Sequence, residues 1–319
     1  MDRNLALEVV RVTEAAALAS ARLMGRGDAE AVDRAGGEAM RRAFDAIDFR
    51  GRIVIGEGRA GEVEHLWVGE TIGTDEPDAV NIDVAVDALE GATVCATGGA
   101  NALSMILISE PGKILPCPET YMEKLAVGPE GAGVVSLDKS PAENLRALAE
   151  ARGVYVEDLT VVVLDRPRND RLVAAIREVG ARVQLLADGD LAAAIATARP
   201  GSGIDLLLGV GKAQQGVLAA GALVGLGGLF QGRFHPLTGD EKSRLREADI
   251  TDVERVYEAD DLVGRNVMFA ATGVTSGLLL EGVRFIAGGA QTNSVVVRSR
   301  TRTVRWIQAF HRFDMRPDY

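Results

Sequence analysis

Strand-like and helix-like segments alternate along the second half of this chain, and that order limits the possible folds more than any other feature. Short runs of β-branched and aliphatic residues predict strands over 160–164, 183–186, 205–208 and 267–270. Helical spacing predicts the helices between them, over 170–179, 191–198 and 212–224. Such alternation predicts an α/β (α+β) protein in which helices cover both faces of a sheet.

The beginning of the chain predicts two helices and then strands. Apolar residues recur at helical spacing over 4–24, and Asp28 is a typical N-cap for a second helix that reaches Ile47. The following segments predict two strands, 52–55 and 80–86, and a hairpin between 102–109 and 113–116.

A Ser-Pro pair near the middle of the chain marks the point after which predicted strands and helices alternate. Ser140 is a typical N-cap and Pro141 suits the first helical turn, so these residues predict a helix that ends at about Arg152. We therefore expect an N-terminal half, residues 1–139, and a C-terminal half, residues 140–319.

Acidic residues outnumber basic ones, since 46 Asp and Glu stand against 35 Lys and Arg, for a formal net charge of −11. Nucleic acids and anionic membrane surfaces bind basic faces, so we expect neither as a partner. Charged residues near the N-terminus argue against a signal peptide, and we expect a cytoplasmic protein. The two cysteines, Cys95 and Cys117, lack zinc spacing and local basic activators, so we expect them in the core.

Acidic side chains follow two of the predicted strands. Asp87 and Glu90 lie three residues apart where the strand over 80–86 ends, and Glu57 stands between two glycines after the preceding strand. Asp33, in the second helix, offers a fourth carboxylate. Hard divalent cations such as Mg²⁺ or Mn²⁺ prefer oxygen ligands of this kind. Solvated or helix-capping carboxylates have the same spacing, so the residues alone leave both alternatives open.

Polar and glycine-rich loops follow three successive strands of the second half. They are Asp165-Arg166-Pro167-Arg168, Asp188-Gly189-Asp190 and Gly209-Val210-Gly211-Lys212. Ligands of open α/β sheets bind at this carboxyl edge, where basic groups and helix starts suit phosphate and aspartates suit sugar hydroxyls. Each loop taken singly is as consistent with a capping turn, and the recurrence on three strands favours binding.

Two features are expected to be structural. Arg298, Arg300 and Arg302 alternate and predict one basic face of a strand, as in a solvated edge that discourages aggregation. Contact with phosphate or an acidic partner is the alternative for this face. Tyr121, after the predicted hairpin, is expected in the core.

These residues together resemble a known family. Ordered matches run from about residue 1 to 312 and weaken over 232–261. They include RVTEAAALASARLMGRGD, IVIGEG, DVAVDALEG, ANAL, YMEKLAVGP, RPR, DGD and ATGVTSGLLLEGV. The chain resembles class II fructose-1,6-bisphosphatases, which are lithium-sensitive, metal-dependent sugar-phosphate phosphatases. The resemblance implies a layered α-β-α-β-α fold and a homo-oligomer, either a dimer or a tetramer.

The resemblance also implies roles for single residues. The implied metal ligands are Asp33, Glu57, Asp87 and Glu90. The implied substrate contacts are Glu90, Gly91, Tyr121, Arg168, Asp188, Gly189 and Asp190. We therefore expect a site for Mg²⁺ or Mn²⁺ in the N-terminal half and binding of a phosphorylated sugar by the C-terminal half.

The chain departs from the family where the attacking water is activated. Ala92 replaces a threonine that orients this water beside the substrate, and Arg59 and Gly61 replace two acidic residues. General-base assistance is typically worth about 10²–10⁴-fold, so we expect slow hydrolysis unless Glu62 or Glu64 replaces these groups.

Further departures change the charge of the site. Gln215 replaces a metal-ligating glutamate, Lys212 replaces a glycine near the phosphate, and Arg166 replaces a phosphate-binding lysine. Gln215 offers a hard cation only a neutral amide oxygen. We hypothesise that the Lys212 ammonium takes the place of one metal ion, so that this chain binds fewer ions.

Three functions fit these residues. The expected one is a metal-dependent phosphatase for a sugar bisphosphate or a related phosphorylated sugar, with an altered active site. The first alternative is a non-hydrolytic enzyme that performs elimination or dehydration on a sugar or nucleoside phosphate, because such steps need no activated water. The second alternative is an inactive binding or regulatory homologue, against which the four retained carboxylates argue.

Overall fold

The chain folds into two compact units. The computed structural model describes residues 5–74, 76 and 79–313, so residue 4, where the first helix is predicted to begin, lies outside them. The first unit comprises Met1–Ile114 and Asn266–Tyr319, and the second unit comprises Leu115–Arg265. The division predicted from the sequence, 1–139 and 140–319, differs from these units because the last strands of the chain join the sheet of the first unit.

Helices and strands are numbered here in chain order. The helices are α1 (Leu5–Ala21), α2 (Ala29–Phe44), α3 (Ala92–Thr97), α4 (Pro141–Arg152), α5 (Asp170–Val179), α6 (Asp190–Ala196), α7 (Ala213–Leu226), α8 (Gly239–Glu247) and α9 (Ala259–Val263). The strands up to residue 212 are β1 (Arg50–Ile55), β2 (Thr71–Gly73), β3 (Asn81–Glu90), β4 (Leu103–Ser109), β5 (Tyr121–Val127), β6 (Thr160–Leu164), β7 (Arg182–Leu186) and β8 (Leu206–Lys212). The later strands are β9 (Leu229–Phe234), β10 (Tyr257–Glu258), β11 (Val267–Gly273), β12 (Arg284–Ile286), β13 (Gly289–Arg298) and β14 (Thr303–Arg312).

The first unit is built on a mixed sheet with the strand order β12-β13-β11-β4-β3-β1-β2, and β14 pairs with β13. β1 and β3 are parallel, whereas β4 runs antiparallel to both of its neighbours, β3 and β11. Apolar residues of α1 and α2, such as Val9 and Phe44, are buried against Ile53 and Val84 of this sheet. This burial supplies the main driving force for the unit.

The second unit has a mixed sheet with the strand order β10-β9-β5-β8-β6-β7. β6 is parallel to both β7 and β8, so the carboxyl ends of these three strands lie at one edge. α4 begins as predicted, because Ser140 and Glu143 form a reciprocal capping box. The two mixed sheets with their helices confirm the predicted α/β class.

Three expectations about strands of the first unit are wrong. The strand predicted to end before Asp87 continues as β3 to Glu90. The segment 113–116 forms no hairpin with β4, because β3 and β11 already occupy both edges of β4. Arg298, Arg300 and Arg302 do not share a strand face, since β13 ends at Arg298 and a short 3-10 turn leads to Arg302 at φ +48°.

A buried polar network links α1 to β13 and β14. Thr292 Oγ1 donates a hydrogen bond to Glu14 Oε1 at 3.0 Å and lies 2.8 Å from His311 Nε2. Burial raises the pKa of Glu14 above its ordinary value of 4.5, and burial lowers the pKa of His311. The folded state therefore holds a Glu14 proton more tightly than the unfolded chain does.

Replacing Glu14 by Gln tests the raised pKa of its carboxyl through the free energy of unfolding. A raised pKa in the folded state stabilises the fold at low pH, and the benefit is lost as pH rises through that pKa. We therefore expect Glu14→Gln to increase the free energy of unfolding at pH 8, with a gain that shrinks toward pH 5. Urea denaturation of both proteins at the two pH values measures this difference. A gain that stays constant with pH would contradict the raised pKa.

Candidate active site

Two carboxylates of the first unit lie at an irregularity in β3. Asp87 pairs with Met105 of β4 and Glu90 pairs with Leu103, so three steps along β3 oppose two along β4. This extra residue is a β-bulge, a feature that re-aims side chains near active sites. Asp87 is half-buried, and Glu90 is only 1% exposed.

Gly91 ends β3 in a conformation that suits only glycine well. Its φ is +84°, and α3 begins at the next residue, Ala92. A side chain at position 91 would be strained in this left-handed region. The chain therefore changes direction directly after Glu90, and Ala92 is the first residue of α3.

Glu57 is held at the same bulge. Gly56 packs so tightly that a Cβ there would overlap the backbone oxygen of Leu66. The Glu57 N–H donates to that oxygen at 3.0 Å, which fixes the backbone. The Glu57 carboxylate then accepts a hydrogen bond from the Ala88 N–H, with Oε1 at 2.7 Å. Because Ala88 follows Asp87, the structure brings Glu57 next to the bulge.

Asp33 projects from the helix that covers this part of β3. It lies one turn before Gly36, whose close approach places α2 against Ala88 and Leu89. Asp33 is half-buried. The four predicted metal ligands therefore come from α2, from the segment after β1 and from the end of β3.

The donor set suits a hard cation that shares its ligands with substrate. Among the residues that the structure describes, no three His, Cys, Asp or Glu side chains group closely enough to hold a metal ion by themselves. Mg²⁺ usually takes one or two protein carboxylates and completes its shell with water and substrate phosphate. An ion held by Glu57, Asp87 or Glu90 would therefore complete its shell with water or substrate oxygens.

The candidate water-activating residues lie in the segment between β1 and β2. Glu62 is exposed, and its Oε2 accepts a hydrogen bond from the Arg59 N–H at 3.1 Å. Glu64 is also exposed. Gly61 has a φ of +88° and open space where a Cβ would point. An acidic side chain at position 61 would therefore overlap no neighbouring atom, although few residues other than glycine adopt this φ.

Two predicted substrate contacts of the second unit, Tyr121 and Arg168, group with Lys212. Tyr121 at the start of β5 is the register partner of Lys212 at the end of β8. The Arg168 guanidinium lies over the Tyr121 ring, 4.6 Å from its centroid. Arg168 Nε also donates to the Val210 carbonyl at 2.9 Å. Tyr121 is half-buried in this group, whereas its expected place was the core.

Asn169 is a supporting residue that the sequence did not single out. It is 1% exposed, and its amide nitrogen donates to the Leu164 carbonyl at 3.0 Å. Its oxygen accepts from the Val210 N–H at 2.9 Å. Asn169 therefore ties the loop that carries Arg166 and Arg168 to the end of β8.

The predicted DGD turn connects β7 to α6. Asp188 is half-buried, and its Oδ1 accepts from the Gly189 N–H at 3.0 Å. Gly189 adopts a φ of +86°. The Asp190 carboxylate is instead buried and forms an ion pair with Lys124, with 2.7 Å between Oδ2 and Nζ. The carboxylate of Asp190 thus faces the protein interior.

Lys212 and Gln215 belong to one continuous strand and helix. The predicted glycine-rich loop is the last portion of β8, and Lys212 is the N-cap residue of α7. Lys212 is exposed and lines a cavity of about 180 Å³ with Tyr121, Gln214 and Arg244 among its neighbours. Gln215 is half-buried in the first turn of α7.

Neither cysteine is suited to be a nucleophile. Both are buried, and burial raises the pKa of Cys95 to about 11 and of Cys117 to about 12. A thiol with such a pKa is almost fully protonated at neutral pH. The structure agrees with the core location expected for both residues.

Comparison with known proteins establishes the family. The model of the family described as bacterial fructose-1,6-bisphosphatase, glpX-encoded, matches residues 3–311. The chain belongs to this bacterial fructose-1,6-bisphosphatase family. It is 43% identical over 337 residues to the D-fructose 1,6-bisphosphatase class 2/sedoheptulose 1,7-bisphosphatase of Synechococcus elongatus, with 98% of both chains covered. The protein of the same description from Thermosynechococcus vestitus is 43% identical over 338 residues, covering 98% of this chain and 97% of that relative.

Membership of the fructose-1,6-bisphosphatase family confirms the resemblance found in the sequence. The roles of the individual site residues, and the weaker resemblance over 232–261, stay predictions. No helix in the described stretches of the chain is both long and apolar enough to cross a membrane.

Proposed function

We propose that this chain is a metal-dependent phosphatase that hydrolyses a sugar bisphosphate. The observation that carries the proposal is the Glu57 carboxylate, held against the β3 bulge that bears Asp87 and Glu90. The family and the relatives named fructose-1,6- and sedoheptulose 1,7-bisphosphatases support the substrate class. In the reaction, water oxygen attacks phosphorus, the bond from phosphorus to the sugar oxygen breaks, and that oxygen takes a proton.

The first unit supplies the acidic groups of the proposal. When bound, Mg²⁺ or Mn²⁺ would polarise the phosphoryl oxygens and lower the pKa of water. Glu57, Asp87 and Glu90, with Asp33, are the residues that would hold the ion. The Ala88 N–H keeps one Glu57 oxygen in place and so fixes the direction of the other. Replacement of one ion by Lys212 stays a prediction.

The second unit supplies groups that recognise a phosphorylated sugar. The positively charged groups proposed to bind phosphate are Arg166, Arg168 and Lys212. An arginine can donate two parallel hydrogen bonds to a pair of phosphate oxygens. Tyr121 orients Arg168 by stacking, because a guanidinium above an aromatic ring is attracted to its face. Asp188 and Gly189 offer acceptor and backbone groups for sugar hydroxyls.

Water activation is the step in which this chain differs from its family. Ala92 has no hydroxyl and Gly61 no carboxylate, so orientation of the water depends on the remaining groups. Glu62 is the proposed proton acceptor, because it is exposed and its carboxylate is fixed by Arg59 N–H. We expect this arrangement to be slower than the family's own.

The two alternative functions have no support from the comparisons. These relatives carry the names of phosphatases, which supports hydrolysis and neither alternative. We further propose a homo-oligomer, a dimer or tetramer, which light scattering tests. The aromatic residues Trp306 and Phe310 of β14, 46% and 66% exposed, are compatible with a protein contact. The cytoplasmic location stays a prediction.

Steady-state phosphate release tests the proposed function. The purified chain is mixed with fructose 1,6-bisphosphate or sedoheptulose 1,7-bisphosphate in the presence of MgCl₂, MnCl₂ or EDTA. We expect release with at least one metal, loss of release in EDTA and recovery when metal is added back. Release with both sugars that is no faster with either metal than in EDTA would refute the proposal.

A further inference from the structure

A buried ion pair lies under the candidate sugar-phosphate groups of the second unit. Lys124 in β5 is 2% exposed and Asp190 at the start of α6 is 4% exposed, with 2.7 Å between Nζ and Oδ2. Desolvation of two charges offsets most of their attraction, and apolar replacements are often as stable. Stability therefore gives little reason for a charged pair at this position.

The ion pair joins two elements, β5 and α6, and packs against a third, β8. Lys124 belongs to β5 and Asp190 to α6, and both pack against Gly211 of β8. A Cβ at Gly211 would overlap Asp190 Oδ2 and would lie 2.9 Å from Lys124 Nζ. Gly211 therefore provides the space in which these two side chains meet beside β8.

Each of these elements also carries a candidate ligand group next to the pair. Tyr121 lies three residues before Lys124 in β5, and successive side chains of a strand alternate between its two faces. Asp190 directly follows Gly189 of the DGD turn, and Lys212 directly follows Gly211. Lys124 thus lies on the face of β5 opposite Tyr121, where it can act on the ligand groups only through the backbone.

We propose that Lys124 and Asp190 form a buried clamp that positions the DGD turn and the end of β8 for sugar-phosphate binding. Both are positioning residues. The family resemblance implies that Asp190 contacts the sugar, but in this proposal its carboxylate acts through Lys124 instead. The clamp rests on the proposed function of these groups. It assigns to Lys124 a role in substrate affinity.

A charge-free double variant separates positioning from stability. Lys124→Met alone leaves a buried carboxylate without its cation and is expected to destabilise the fold strongly. Lys124→Met with Asp190→Asn removes both charges at similar volume, so its Tm is expected to stay near that of the wild type. The matched control is Arg152→Met with Asp205→Asn, which removes the ion pairs of Arg152 with Glu130 and with Asp205, the residue before β8.

The readouts are steady-state kinetics with fructose 1,6-bisphosphate and hydrogen exchange of the backbone amides. In the double variant we expect KM to rise about tenfold while kcat changes less, because the displaced groups contact the substrate and the transition state alike. Exchange is expected to increase at 188–190 and 209–212 and to stay unchanged in the control. In a folded double variant of the active enzyme, either an unchanged KM or an unchanged local exchange would overturn the clamp.

The two proposals fail in different ways. An inactive wild type would refute the proposed function, and local exchange would then decide the positioning by itself. An active wild type whose double variant keeps its KM would refute the clamp alone. A uniform rise of exchange over the whole second unit would show a purely structural pair and would also overturn it.

Discussion

Replacing Glu90 by Gln is expected to lower kcat for phosphate release by about 10²–10³-fold, the size of loss that follows removal of one preorganised polar group from an active site. Glu90 is 1% exposed and follows the bulge of β3, where Glu57 is held by the Ala88 N–H. Gln has almost the same volume but no charge. It therefore keeps the packing and removes the attraction for a divalent cation. Phosphate release at saturating substrate and metal measures the effect.

Asp83 provides the matched control for this substitution. It is also a buried carboxylate of β3, and its Oδ2 accepts a hydrogen bond from the Gly112 N–H at 2.6 Å. Asp83→Asn is expected to reduce Tm and to leave kcat within a few-fold of the wild type. Equal losses of kcat in the two variants would show that the integrity of β3, and not the charge of Glu90, is being measured. Full activity of Glu90→Gln would remove this residue from the site.

Restoring the family's residue types is expected to have the opposite effect. The double variant Ala92→Thr with Gly61→Asp returns a hydroxyl after Gly91 and a carboxylate in the segment after Glu57. We expect kcat to rise at least about tenfold, because general-base assistance is typically worth about 10²–10⁴-fold. The open space at Gly61 accepts the side chain, and Asp is among the residues that tolerate positive φ. Phosphate release under single-turnover conditions isolates the chemical step.

Gly133 offers a control with the same backbone strain. Its φ is +86° and no atom lies within 4 Å of the position of a Cβ, as at Gly61. Gly133→Asp adds the same charge in the second unit and is expected to leave kcat unchanged. An unchanged kcat in the restored variant would contradict the loss of water activation. It would indicate that Glu62 activates water in the native chain as fast as the family's residue types do.

The local elements of the fold could be predicted wherever the sequence carries its own signals. β6 and α5 have the predicted bounds, because an apolar strand and an amphipathic helix are separated by a Pro-containing turn. α2 begins after Asp28, whose side chain caps the Ala31 N–H at 2.9 Å. These features depend on neighbours in the sequence, so the sequence alone reveals them.

The missed strands depend on partners far away in the chain. β5 contains Glu123 and Lys124 and does not alternate clearly, yet it lies between β8 and β9 in the sheet. β13 and β14 carry polar residues on both strands and form a long hairpin whose pairing no local pattern shows. The bulge of β3 likewise follows from its register with β4.

The candidate site likewise has features that the sequence reveals and features that depend on partners far away in the chain. The resemblance to a family names Glu57 and Asp190, but it does not show how either carboxylate is held. The bond from Ala88 to Glu57 spans 31 residues, and the ion pair of Lys124 with Asp190 spans 66. Both depend on the packed structure, and the second turns a predicted sugar contact into a candidate positioning residue.

The origin of the oxygen in the released phosphate tests hydrolysis most directly. The chain acts on fructose 1,6-bisphosphate in H₂¹⁸O with Mg²⁺ or Mn²⁺, and mass spectrometry measures the label in phosphate and in sugar. Attack of water on phosphorus predicts one ¹⁸O atom in each released phosphate and a sugar that keeps its unlabelled bridging oxygen. Phosphate without label, together with a sugar that has lost water, would show elimination at carbon and would contradict the account.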